Sequence, residues 1–449
     1  MYKKKILLFF LFTGYILTGC DESAMNEDII STKLILWRSP ANYYSYYNKL
    51  YKFANSMDGK LLECMELNIP QENTFEVDRI KNGLSDRFIL SRLSVKEFTS
   101  YKDISIYTYY GILPFSKQYS SASSSTSTGT AQVKFTNVPS YTSFILSGSN
   151  YSTTSYALST NTYNIPIYSD RLNSLYLLLR TTTGTYYKSF DNLIPGQLNT
   201  LSLSGMQSAF TQGTISFNKG SYTSFSLDIS KYGNTGFTGG SFIVGRANGT
   251  DSPVSYILPS SFLPSAQCIT DLEGSSTSHV ATTILYSGTV PSTLALLDGS
   301  FSFSGSLPEI SYKLDLNEKA DVVYLYFTHN SDFINTNKYK VSWRIYISPA
   351  VRDIKLPDIP ETILATLRSA YGINDLKLSQ IKLSNASVSQ YFESNNFDEY
   401  MTKYFFGWKS PTEGSKDKYI YFYPSTTKGG IGEIEKHPDP CRYTVETDF

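Results

Sequence analysis

A chain of 449 residues with 39 basic and 39 acidic side chains has no bulk charge with which to hold nucleic acid or anionic lipid. Its hydrophobic fraction of 41% is enough to fill real cores and excludes a wholly disordered chain, while the length suits two to four domains. Three His and four Cys leave little material for a zinc site, a disulfide-stapled scaffold or a cofactor ligand set, and none is expected.

The N-terminus carries the clearest signal. Lys3, Lys4 and Lys5 precede an apolar run over 6–12, extended by Tyr15, Ile16 and Leu17, and the segment ends Leu17-Thr18-Gly19-Cys20. A charged start, an apolar centre and small residues before a Cys resemble the lipobox signal peptide of bacterial lipoproteins. The resemblance covers residues 1–20. It implies that 1–19 are removed and that Cys20 is the lipidation site, which ties the mature chain to the membrane. Three Lys and no acid lie in 1–19, so 36 basic residues then face 39 acidic ones. Asp21, Glu22, Glu27 and Asp28 make 20–31 an acidic tether. Such a run resembles the export tether of surface-displayed outer-membrane lipoproteins, although an Asp beside the lipidated Cys also serves as an inner-membrane signal in other bacteria.

Beyond the tether, 32–118 reads as a mixed α/β domain. Residues 32–38 suit a strand. Asn42 opens an expected helix on which Tyr43, Tyr47, Leu50, Tyr51 and Ala54 share a face, with Gly59 as its stop. Strands are expected over 60–69, 86–93 and 103–113. Nine of the eleven residues at 120–130 are Ser or Thr, too little apolar surface to offset ordering entropy, so 119–131 reads as a linker.

From there the pattern is β. Leu175, Leu177 and Leu179 alternate with Tyr176, Leu178 and Arg180, and Gly, Pro, Asn and Ser clusters separate short period-two pieces. The expectation is mainly β: tandem antiparallel, immunoglobulin-like sandwiches over 132–210 and 211–350, with a C-terminal α+β region over 351–449. A weak repeat supports two such units. Gly129-Thr130 leads to Tyr141-Thr142-Ser143-Phe144, and Gly213-Thr214 leads to Tyr222-Thr223-Ser224-Phe225. Near the end, Pro360 and Glu361 start a helix with Ile363, Leu364, Leu367 and Tyr371 on one face, closed by Gly372. A second helical pattern runs from Phe397 to Phe405.

Chemistry is sparse. The glycine-rich run 236–240 has no Ser at its elbow and reads as a turn. His279, His329 and His437 show no metal spacing, and any Ser-His-Asp set would have to assemble in space. Asp315, Asn317, Glu318 and Asp321 form an acidic turn without the calcium-loop glycine. Cys64, Cys268 and Cys441 match no redox motif. The strongest hint of binding is aromatic. Tyr419, Tyr421 and Tyr423 alternate with Ile420 and Phe422, and Tyr324 and Tyr326 alternate with Val323, Leu325 and Phe327. If the aliphatic set faces the core, the tyrosines form an outer ladder suited to a glycan or a protein surface.

These features together resemble surface-exposed, multi-domain β-sandwich lipoproteins of Gram-negative bacteria. The function implied is binding or adhesion without catalysis. A fimbrial anchor or assembly subunit and a glycan-degrading hydrolase are the alternatives.

Overall fold

The computed structural model describes residues 33–423, apart from 42–44, 80–86, 119–126, 149–150, 155–156, 169–171, 233–240, 264–266, 331–338, 375, 377, 392–393 and 407–411. The signal peptide, Cys20, the tether, most of the Ser/Thr run, the glycine-rich run, His437 and Cys441 therefore lie outside the described residues.

The chain is mainly β, and one long sheet organises it. Its strands are β1 (Lys49–Ser56), β2 (Leu61–Glu66), β3 (Phe88–Glu97), β4 (Lys102–Ile112), β5 (Ser224–Tyr232), β6 (Ser241–Gly249), β7 (Cys268–Ser275), β8 (His279–Ser287), β9 (Val322–Asn330), β10 (Tyr339–Ile347), β11 (Lys382–Gln390) and β12 (Lys416–Phe422). They lie in the order β6-β5-β7-β8-β12-β11-β9-β10-β4-β3-β1-β2. The sheet thus joins segments that the sequence places in three domains, 32–118, 211–350 and 351–449. The last strand, β12, pairs with β8 on one side and β11 on the other. β10 runs parallel to β4, more than two hundred residues upstream.

Both faces of its inner strands are covered. On one face, Trp343, Ile345, Leu325 and Phe422 pack beneath helix α1 (Glu361–Tyr371) and the small sheet of strands Gly299–Ser306, Glu309–Leu316 and Asp353–Lys355. On the other, Leu50, Tyr109, Tyr324 and Tyr421 pack with Leu34 and Trp37 of strand Lys33–Ser39 and with Phe397, Tyr400 and Met401. Strand Lys33–Ser39 sits centrally in its own sheet, antiparallel to Asn73–Asp78 and parallel to Phe115–Gln118.

Residues 127–203 form a separate sandwich. Strands Tyr151–Thr153, Ser143–Gly148, Leu175–Arg180 and Thr185–Phe190 make one sheet; Thr162–Tyr168, Ser127–Thr136 and Leu198–Ser202 make the other. Val133, Phe135, Leu146, Ile165, Leu177 and Leu179 fill the space between them. The other face of Leu175–Arg180 is buried too. Tyr176 and Leu178 join the core of the long sheet, and the Tyr176 hydroxyl donates to the Val244 carbonyl at 3.3 Å. That double burial is why this strand reads LYLLL rather than as a clean alternation.

Two expectations need correction. The helix opened by Asn42 does not form, because Lys49–Ser56 is strand β1. With both faces of β1 buried, apolar residues fall on both parities: Leu50 and Ala54 face one cluster, Tyr51 and Phe53 the other. Apolar residues at 47, 50, 51 and 54 then mimic a helical stripe. Gly59, read as a helix stop, takes φ +92 in the β1–β2 hairpin, where its N–H donates to the Ser56 carbonyl at 2.9 Å. The pairing is also not purely antiparallel. Besides β4–β10 and the pairing of Lys33–Ser39 with Phe115–Gln118, strand Leu198–Ser202 runs parallel to Ser127–Thr136. Helix α1 forms as its sequence indicates, with Ile363, Leu367 and Tyr371 buried and Gly372 left-handed at φ 66.

The YTSF repeat has a structural counterpart. Each copy opens a strand, Ser143–Gly148 or β5, and in each the Tyr and Phe rings meet edge to face, at 5.7 Å and 6.3 Å. The first copy builds the closed sandwich, whereas the second feeds the long sheet.

Candidate functional site

The tyrosine ladders are core. Tyr419, Tyr421, Tyr324 and Tyr326 are 3%, 7%, 5% and 5% exposed, and Tyr423 is half-buried. The aliphatic residues between them do face a core, as expected, but the opposite face is covered as well. Tyr324 and Tyr326 stack at 6.3 Å, Tyr109 and Tyr346 at 4.9 Å, and Tyr391 meets Tyr419 edge-on at 5.7 Å. Burial pushes the phenols of Tyr109 and Tyr346 well above their ordinary value. These rings cannot serve as an exposed platform for a ligand.

The same face carries a feature that the sequence reading passed over. Four register pairs align Lys52, Arg92, Tyr107, Arg344 and Tyr326 in one row across β1, β3, β4, β10 and β9. Lys52 Nζ lies 3.5 Å from the Trp37 ring, and the Arg92 guanidinium lies 4.3 Å from that of Tyr107. Arg344 sits between Tyr107 and Tyr326 at 4.9 and 5.0 Å. Aromatic faces stabilise desolvated cations by up to about 2 kcal/mol. Basic residues inside otherwise apolar strands were the available signal.

The one Ser-His-Asp arrangement that we find among the described residues gathers at one end of the long sheet. Ser221 Oγ lies 2.7 Å from Asp298 Oδ1 and 2.9 Å from His279 Nε2. His279 Nδ1 faces the hydroxyls of Ser278 at 2.9 Å and Ser276 at 3.1 Å. In a hydrolytic triad the carboxylate holds the ring nitrogen remote from the serine. Here both groups share one nitrogen, with Asp298 Oδ1 3.5 Å from Nε2. An ionised carboxylate only accepts, so Ser221 gives it the hydroxyl proton, and Nε2 keeps a hydrogen to donate to Ser221 Oγ. A histidine without a lone pair toward the serine cannot activate it.

The cluster reads better as a joint. Asp298 also accepts from the Ser221 N–H at 3.1 Å, and its own N–H donates to Asn317 Oδ1 at 2.9 Å. It thereby ties turn 219–221 and hairpin 276–279 to the start of Gly299–Ser306. Burial lowers the His279 pKa, with Asp298 opposing, so the ring stays neutral more readily than an exposed histidine.

The acidic turn disperses. Glu318 pairs with the buried Lys418, Asn317 serves Asp298, and Asp321 accepts from the Tyr391 N–H at 2.8 Å. Burial raises the Asp321 carboxyl to about 6. Asn317, Glu318 and Asp321 are thus committed to separate partners, and among the described residues no group of three or more His, Cys, Asp or Glu could hold a metal ion. Cys64 and Cys268 are free thiols, half-buried and buried, and burial pushes both pKa values up.

No family model and no curated protein matches the chain. Among solved structures it is similar to the crystal structure described as "a putative adhesin from Bacteroides ovatus", at 10% identity over 64% of this chain and 96% of that one, with a TM-score of 0.12.

Proposed function

We propose that this is a lipid-anchored extracytoplasmic binding or adhesion protein, held in the outer membrane through Cys20 and non-catalytic. The observation that carries the reading is the sequence Leu17-Thr18-Gly19-Cys20 behind a basic, apolar leader. The β body supports it. Strand Lys33–Ser39 begins thirteen positions beyond Cys20 and is hydrogen-bonded on both sides, so a tether of roughly 40 Å at full extension would lead straight into a held strand. On this reading the seven-stranded unit at 127–203 is the immunoglobulin-like module.

The alternatives draw less support. A glycan hydrolase needs two carboxylates flanking a cleft. The cavity beside Asn48 and Asn68 has one, Glu66, and Lys49 is paired with it. A fimbrial subunit that accepts a strand needs an open edge. The long sheet ends in β6 on one side and β2 on the other, and Glu63 and Glu66 of β2 are the kind of edge charge that resists strand addition there.

The test is Cys20→Ser in a bacterial host with a lipoprotein export pathway. The variant is expected to lose incorporation of radiolabelled palmitate and to accumulate as precursor. A mature-sized, membrane-bound variant would overturn the reading.

A further inference from the structure

Strands β3 and β4 meet in a tight hairpin whose tip is Phe98-Thr99-Ser100-Tyr101. The Phe98 N–H donates to the Tyr101 carbonyl at 2.9 Å, and the two rings stack at 4.7 Å with 16° between their planes. Phe98 is 40% exposed, among the more exposed large apolar residues of the chain, and Tyr101 is half-buried. Lys96 Nζ reaches over both Phe98, at 5.2 Å, and Tyr46, at 5.7 Å. Tyr46 in turn lies 4.2 Å from Tyr47. Four rings and a lysine stem thus gather at one sheet end, at the surface.

Asn48 joins this group to a cavity. Its Oδ1 accepts from the Glu97 N–H at 2.7 Å, immediately before Phe98, and Asn48 also lines a cavity of about 390 Å³ with Lys49, Glu66, Asn68 and Ile69. That volume falls at the lower end of the roughly 300–1,000 Å³ of small-molecule sites. With one lone pair of Oδ1 taken by Glu97, Asn48 offers a ligand its two amide hydrogens and the second lone pair. Lys49 and Lys96 balance Glu66 and Glu97, so the site favours neither sign of charge.

We propose that the hairpin tip and the Asn48 cavity form a binding site for a neutral hexopyranose at the end of a glycan. The proposal rests on the binding reading and gives it a ligand class and a place. A pyranose has one ring face of C–H groups and a rim of hydroxyls. With Tyr101 stacked on Phe98 and Lys96 over the same ring, the exposed part of the Phe98 ring supplies the apolar surface for the first. Asn48 and Asn68 supply amide groups for the second. Aromatic rings at a hairpin tip could serve only to pack the tip. That role does not explain why Phe98 stays two-fifths exposed beside a polar cavity.

The experiment is saturation-transfer NMR on the soluble body with lactose, maltotriose and mannobiose, which present galactose, glucose and mannose rings. At least one sugar is expected to give transfer to its ring protons, and Phe98→Ala/Tyr101→Ala is expected to weaken binding at least tenfold. The double variant is checked by its melting curve, and Ile194→Ser/Leu198→Ser, at exposed apolar positions in the sandwich, is the control that keeps the signal. Should the double variant prove unstable, Phe98→Ser alone gives the same test at the exposed ring. A signal that survives in a folded tip variant overturns this site and leaves the binding reading standing. No transfer from any of the three sugars to the parent overturns the ligand class, while palmitate labelling and adhesion to cells still test the broader reading.

Discussion

Tyr421→Ala is expected to destabilise the protein by roughly 3 kcal/mol or more, as large-to-small changes of buried aromatic residues do. Tyr421 is 7% exposed and belongs to the same buried cluster as Tyr324, Tyr391 and Tyr400. Its strand, β12, is hydrogen-bonded on both sides, so the surrounding backbone has little freedom to collapse into the space left. An exposed ladder tyrosine would cost under about 1 kcal/mol. Chemical denaturation of parent and variant separates the two cases, and a loss below 1 kcal/mol would return these rings to the surface.

Glu318→Gln should cost about 2–3 kcal/mol, because it strands a buried ammonium. The Lys418 side chain is 4% exposed and both Glu318 oxygens accept from it, while Glu318 itself is 32% exposed. Breaking a fully buried pair costs about 3–5 kcal/mol, and the open side of Glu318 moderates that. Lys416 lies two positions away, and its pKa is lowered by burial and then by the Lys418 charge, so loss of the carboxylate leaves two cations with less compensation. Adding Lys418→Met to Glu318→Gln should recover most of the loss, since the buried charge then goes with its partner. If the double variant is no more stable than Glu318→Gln, the pair is not what holds the 317–320 turn to β12.

The sequence reveals strands more readily than what covers them. Alternation placed β12 and put Ile420 and Phe422 on a core face, both of which the structure has. Alternation cannot tell whether the opposite face meets water or a second layer. Tyrosine suits either, since its ring packs and its hydroxyl can be satisfied in both settings, and so the ladders read as surface. The same double burial turned β1 into an apparent helix. Long-range pairing left still less trace: nothing in 339–347 or 102–112 announces that they lie side by side, and parallel pairing of segments so far apart has no turn to mark it. The exposed tip was readable in principle, as two aromatics flanking Thr99-Ser100 between strand patterns. Its nearness to Asn48 required the fold.

The claim that segments read as separate domains form one sheet is tested most directly by a cross-link. Ser105 of β4 and Ser342 of β10 are register partners with hydroxyl oxygens 3.0 Å apart. Ser105→Cys/Ser342→Cys should therefore oxidise to a disulfide within one chain, visible as a linked peptide pair in mass spectrometry. Two free thiols at these positions after oxidation of the folded protein would contradict the long sheet.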